Sequence, residues 1–258
     1  MSLGDVKGEV FKDDLTGHVL ASKLVVEAGR KELAYCSLKG VWVKKTMDEA
    51  QRRTCKRPIT VRWVDVNKGD DECPEYRSRL VAREIGKRGE AHIFAPTPPL
   101  ERLRLILSLA ASNLEGEPEH VRDPKSEMRT QISFVEISRA YFCATCDPDD
   151  PTYVMLPDEG PDASRGMCAL LLKHMYGTRK AADGWHCEYS GTLKDMGFTM
   201  GGASACVFSH AERRLKCSIH GDDITTDGPK KHLATAEHFT TVYHEKASQD
   251  LHHAQPLS

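Results

Sequence analysis

Apolar and polar positions follow two periods along this chain, and the switches between them mark its elements. Leu24, Val25, Ala28, Leu33, Ala34 and Leu38 recur at approximately helical spacing and predict a leading helical element within the first forty residues. From Pro58 to Val66 the pattern changes to alternation. After the polar turn Gly69-Asp70-Asp71-Glu72 alternation returns from Tyr76 to Val81, so a hairpin is expected. Thr97-Pro98-Pro99 can cap and open a helix with a buried stripe of Leu100, Leu103, Leu107, Ala110 and Leu114. A polar stretch from Glu115 to Thr130 leads into a strand over 133–137, which carries Glu136 inside an apolar run. Further on come an extended stretch over 153–157 and an apolar run from Met167 to Met175. A helix is then predicted over 178–196, with Ala181, Ala182, Trp185, Tyr189, Leu193 and Met196 near one side and Gly197 just past its end. Two runs over 205–210 and 215–220 form a second hairpin, and beyond Tyr243 no core stripe is visible. Helices and antiparallel hairpins in this order predict an α+β fold with helices packed against an antiparallel sheet.

Composition narrows the partners only locally. The 258 residues carry 36 Lys and Arg against 38 Asp and Glu, a formal charge of -2, so no global basic excess points to nucleic acid. The charge is nevertheless uneven. Lys44-Lys45, Arg52-Arg53, Lys56-Arg57, Arg77, Arg79 and Arg83 form a basic region, whereas Asp147 to Asp162 holds six acidic side chains and no basic one. No signal-type apolar run follows Met1 and no stretch approaches the roughly twenty apolar residues of a bilayer span, so a soluble intracellular protein, cytoplasmic or nuclear and without membrane partners, is expected. The nine cysteines are scattered, mostly within apolar runs, and are expected to be reduced thiols; Cys143-Ala-Thr-Cys146 lacks a second ligand pair at zinc spacing.

The candidate chemistry lies at Gly221-Asp222-Asp223, a predicted hairpin turn between 215–220 and the β-branched run Ile224-Thr225-Thr226. Adjacent carboxylates on a rigid turn suit a hard divalent cation, although Gly and Asp are also ordinary turn composition. Glu136 reads either as a paired or metal-bound carboxylate or as the exposed side of a half-buried strand. Alternation places Arg77 and Arg79 on one strand face, where two guanidinium groups can grip a triphosphate or simply face solvent.

Several blocks, in order, resemble the reverse transcriptase of copia-type (Pseudoviridae) retrotransposons. They are Trp63-Val-Asp65-Val-Asn67-Lys68, Tyr76-Arg-Ser-Arg79-Leu-Val-Ala-Arg83, Phe94-Ala-Pro96 and Glu136-Ile-Ser-Arg-Ala140-Tyr141-Phe142. They continue with Met155-Leu-Pro157, Leu172-Lys-His-Met-Tyr176-Gly177, Ala181-Ala-Asp-Gly-Trp185 and His220-Gly-Asp222-Asp223, so the resemblance spans roughly residues 35 to 235. It implies the fingers and palm of a right-hand polymerase: a leading helical segment over 1–40, a fingers-like region over 41–130, a palm-like region over 131–228 and a truncated C-terminal segment over 229–258. Glu136, Asp222 and Asp223 would be the catalytic, metal-binding carboxylates for two magnesium ions, with manganese able to replace them. The substrates implied are an RNA or DNA template with its primer and deoxynucleoside triphosphates. Tyr141 would lie beneath the incoming sugar, and Arg77, Arg79 and Lys180 would bind substrate phosphate.

Three departures accompany the resemblance. The family's first catalytic aspartate is Glu136 here, its Gln-Ala-Pro-Arg block is Lys180-Ala-Ala-Asp183, and no thumb, ribonuclease H or integrase segment is recognisable after the palm hairpin. Two other readings stay open on the residues alone. One is a catalytically inactive remnant that keeps the fold and binds nucleic acid; the other is a metal- or thiol-dependent regulatory protein built on Cys143, Cys146 and the histidines.

Overall fold

The computed structural model describes residues 10–84, 100–111, 123, 125–158, 166–235, 238, 239, 241 and 243. In chain order the elements are α1 (Ser22–Leu38), β1 (Trp42–Thr46), α2 (Met47–Thr54), β2 (Val61–Asn67), β3 (Tyr76–Ala82) and α3 (Leu100–Ala111). There follow β4 (Thr130–Glu136), a 3-10 turn (Ala140–Cys143), β5 (Tyr153–Val154), β6 (Met167–Leu171) and α4 (Ala181–Asp195). The last strands are β7 (Thr199–Gly201), β8 (Ser204–His210), β9 (Leu215–His220) and β10 (Asp223–Pro229). All pairings between these strands are antiparallel, so the α+β class expected from the sequence is the class observed.

The described residues form two compact units, one within Met1–Ala91 and Thr145–Ala181, the other within His92–Ala144 and Ala182–Gln249. In the first, β2 and β3 make the expected hairpin, and a second sheet of order β1-β6-β5 joins distant stretches of sequence. Neither β1 nor α2 was anticipated. The hydroxyl of Thr46 caps α2 by accepting from the Glu49 N–H, and Asp48 and Glu49 in the first turn and Arg52 and Arg53 in the last suit the helix dipole. The buried side of α1 is Val25, Ala28, Glu32 and Cys36, with Leu24 and Leu33 only partly covered and Leu38 46% exposed, so the stripe is rotated from the one expected. A glutamate occupies that side because Arg79 stands beside it.

The second unit is built on a five-stranded sheet of order β4-β10-β9-β8-β7. Trp185, Tyr189 and Leu193, four residues apart along α4, bury one helix face with Phe208, Leu215, Cys217, Ile219 and Ile224 of the strands. Each such large apolar side chain contributes about 1.5–3 kcal/mol on burial. Leu233, Phe239 and Tyr243 complete this core, and residues 230–235 are helical, although that part of the sequence shows no strong period. On α3, Ile106 is the buried side chain, Leu103 and Leu107 are partly covered, and Leu100 is 56% exposed, which corrects the stripe read from the sequence. The expected cap at Thr97-Pro98-Pro99, the Phe94-Ala-Pro96 block and Leu114 lie outside the described residues.

Candidate active site

The acidic turn joins β9 to β10 through two residues, Gly221 and Asp222, with His220 and Asp223 as the closing pair. Gly221 has φ 64 while Asp222 keeps a negative φ, the sign pattern of the II′ hairpin turn, which wants glycine first. On its other side β10 pairs with β4, in a register that sets Asp223 directly opposite Glu136. The Ile137 N–H donates to the Asp222 carbonyl at 2.9 Å, so the pairing continues into the turn. Residues directly opposite on antiparallel strands point to the same face with Cβ atoms about 4.5–5.5 Å apart, and like charges so placed repel. Glu136, Asp222 and Asp223 are therefore gathered at one end of one sheet. Glu136 and Asp223 are exposed and Asp222 is half-buried.

Two aromatic residues fix the surroundings of the turn. The Trp185 indole N–H donates to the Gly221 carbonyl at 2.8 Å, while its ring lies fully buried against Tyr189 and Tyr243. The tryptophan of the Ala181-Ala-Asp-Gly-Trp185 block thus ties α4 to the turn, a role its sequence position did not disclose. Tyr141 sits in the 3-10 turn, entered through Arg139 in the left-handed region at φ 53 and held between buried Ala140 and Phe142. Burial, and then the charge of Asp222, push the Tyr141 phenol above its ordinary value, which sets this residue within electrostatic reach of the acidic turn. Two further residues, to which the sequence alone assigns no role, lie on the strands of the turn. His220 is the cross-strand partner of Asp223 and follows directly from hairpin numbering. Asp227, four positions from Asp223 on the same face, is 2% exposed, and its carboxylate lies 3.5 Å from the Lys216 ammonium; burial pushes its carboxyl upward against the opposing effect of that cation.

The substrate-phosphate candidates lie in the first unit. Arg77 is exposed on β3. Two residues on, and on the same face, Arg79 lies 3.8 Å from the Glu32 carboxylate with its guanidinium stacked 5.1 Å from the Tyr176 ring centre. Lys180 pairs with Asp150. The Tyr176-Gly177 block is locked to β3: the Ala82 N–H donates to the Tyr176 carbonyl at 2.7 Å, and a Cβ on Gly177, at φ 81, would stand 2.0 Å from the Ala82 carbonyl oxygen.

The donor chemistry of the acidic turn fits magnesium, a hard cation held by one or two carboxylates and completed by water and substrate phosphate. A cation beside Glu136 and Asp223 would also relieve their cross-strand repulsion. Among the described residues no three His, Cys, Asp or Glu side chains are gathered tightly enough to make a complete cage.

Comparison with known proteins meets the same stretch. The family described as reverse transcriptase (RNA-dependent DNA polymerase) matches residues 44–240. The chain is also 24% identical over 159 residues to the retrovirus-related Pol polyprotein from transposon TNT 1-94 of Nicotiana tabacum. That match takes in 59% of this chain and 11% of the polyprotein's length.

Proposed function

Because this chain belongs to the reverse transcriptase (RNA-dependent DNA polymerase) family, with copia-like retrotransposon kinship, we propose that it is an RNA-directed DNA polymerase domain adding deoxynucleotides to a primer 3′-hydroxyl. The observation that carries this reading is the β4–β10 register, which sets Glu136 opposite Asp223 and beside the Asp222 turn. In this reading the palm-like region over 131–228 holds the catalytic carboxylates, and the fingers-like region over 41–130 supplies cations for nucleotide and template phosphates.

Glu136, Asp222 and Asp223 would hold two magnesium ions. When bound, such ions lower the pKa of the attacking hydroxyl and neutralise charge on the triphosphate. Trp185 keeps the turn in place through the Gly221 carbonyl, so the carboxylates need not reorganise when substrate arrives. Tyr141 provides a flat wall under the incoming sugar, where bulk disfavours a 2′-hydroxyl. Its raised phenol stays protonated at neutral pH and adds no charge beside the carboxylates. Arg77, Arg79 and Lys180 bind substrate phosphate, Arg as a planar fork and Lys as a point charge. The exposed Lys44, Arg52, Lys56 and Arg57 meet template phosphates. Among the described residues no helix is long and apolar enough to cross a membrane.

Primer extension on an RNA template with magnesium tests the proposal. The wild-type chain is expected to extend the primer, and Asp222→Asn to lower the rate by about a hundredfold or more, since a metal-ligand oxygen is lost at a site intolerant of misplacement. Absence of product at any enzyme concentration, in both the wild type and Glu136→Asp, would instead support a second reading. That is a catalytically inactive remnant retaining the fold and nucleic-acid binding. The glutamate in place of aspartate and the incomplete carboxylate cage favour it.

A further inference from the structure

We propose that Glu32 and Tyr176 together are positioning residues that hold Arg79 preorganised as an anion ligand, with a nucleoside triphosphate as its occupant. The proposal takes only the identity of the anion from the polymerase reading. Its geometry comes from the first unit alone.

Arg79 is half-way between a surface and a core residue, with its side chain 13% exposed, and it is held from two sides. The Glu32 carboxylate, 1% exposed on α1, lies 3.8 Å from Nη1, and the Tyr176 ring lies 5.1 Å from Cζ. The Glu32 contact takes up the Nη1 corner of the guanidinium and the Tyr176 contact its flat face. At 3.8 Å the ion pair exceeds hydrogen-bond length, and stacking occupies only the flat face. Nη1 is buried and makes no hydrogen bond among the described residues. Nη1 and the equally buried Glu32 Oε1 face each other without a hydrogen bond, so that corner is closed to a ligand; a guanidinium presents five N–H groups in a fixed fork, and those turned away from Glu32 are the ones that suit a multidentate anion.

The surrounding backbone makes the clamp rigid. Tyr176 is tied to β3 through the Ala82 N–H, and Gly177 passes so close to Ala82 that no side chain fits there. The α1 helix is anchored on the same hairpin, for the Ser78 hydroxyl donates to the Val25 carbonyl at 3.4 Å and Gly29 packs over the Trp63 ring. An arginine whose rotamers are already restricted by folding gives up less entropy when a ligand binds. Arg77, about 7 Å further along the same strand face, is exposed and adds a second cation at a spacing suited to neighbouring phosphates. Glu32 lies outside residues 44–240, so the clamp joins a residue beyond the family match to one within it.

The test is equilibrium binding of dTTP with magnesium by the full chain, with and without a primer–template, followed calorimetrically. Glu32→Gln is expected to raise Kd about tenfold and Tyr176→Leu about threefold, as the guanidinium regains freedom that binding must then remove. Glu32→Asp, which keeps the charge, is expected to recover part of the loss. In primer extension, Glu32→Gln should raise KM for the nucleotide far more than it lowers kcat, a split that a general loss of structure would not produce. Circular dichroism checks folding; should Glu32→Gln fail to fold, Tyr176→Leu, which keeps the ion pair, carries the test. Equal Kd values for wild type and the folded variants overturn the clamp, as does a wild-type chain that binds no dTTP. A chain that binds dTTP with the expected dependence on Glu32 but never extends a primer upholds the clamp and removes the polymerase reading.

Discussion

Glu136 concentrates the chemical question at the scale of single residues. Its extra methylene moves the carboxylate oxygens by about a bond length relative to aspartate, and in the proposed polymerase site misplacement of about 1 Å can cost on the order of a hundredfold in rate. Glu136→Asp is therefore expected to raise kcat in primer extension by about tenfold or more, and an unchanged or lower rate would show that this sheet is already shaped for glutamate. Trp185 acts on the same turn from its other side. Trp185→Phe keeps most of the buried ring and removes the hydrogen bond to the Gly221 carbonyl. Urea unfolding should show a loss of about 1 kcal/mol, with kcat reduced beyond what that loss accounts for, because the turn is no longer tethered. Asp222 and Asp223 were legible as candidates from their neighbours in sequence alone. The tether was not, since nothing local connects an indole in a helix with a carbonyl in a distant turn.

Short backbone contacts decide how elements hold together. Gly177 is the sharpest case: its φ of 81 and the approach to Ala82 leave no room for a Cβ. Gly177→Ala should destabilise the first unit by about 2–4 kcal/mol in urea unfolding, combining left-handed strain with a steric clash, and leave Tyr176 no longer fixed under Arg79. Asp13 ties the loop before α1 to β2. Its carboxylate accepts from the N–H groups of Leu15, Thr16 and Asn67, and these bonds, with that from Asn67 foremost, hold its pKa at about 2. A carboxyl depressed in the folded state stabilises above its unfolded value of about 4, and the contribution disappears as pH falls from there towards the folded value. Thermal melting between about pH 4 and pH 2 should show this loss, and Asp13→Asn should flatten that part of the profile. The helix over 181–195, the hairpin of β2 and β3 and the hairpin of β8 and β9 were all readable from periodicity. β1 and α2 were not, because β1 earns its place by pairing with β6, more than a hundred residues later.

Charge belongs to the whole molecule. A net charge of -2 hides the basic stretch in which Lys44, Arg52, Lys56 and Arg57 are exposed in the first unit. Binding of an RNA–DNA primer–template should weaken steeply with salt. Replacing Arg52, Lys56 and Arg57 together by glutamine should make the log–log slope shallower by about 2–3, close to one released counterion per lost phosphate contact. An unchanged slope, measured by fluorescence anisotropy across salt concentrations, would remove this stretch from the nucleic-acid surface. By itself the sequence determined the class of the fold, the principal hairpins and the identity of the acidic turn, because periodicity and turn chemistry are local properties of consecutive residues. Only the tertiary structure decided that Asp223 faces Glu136, that Trp185 braces the turn and that Glu32 is buried beside Arg79. Each of those depends on strand register or helix rotation, which are fixed by the packing of residues far apart in the chain.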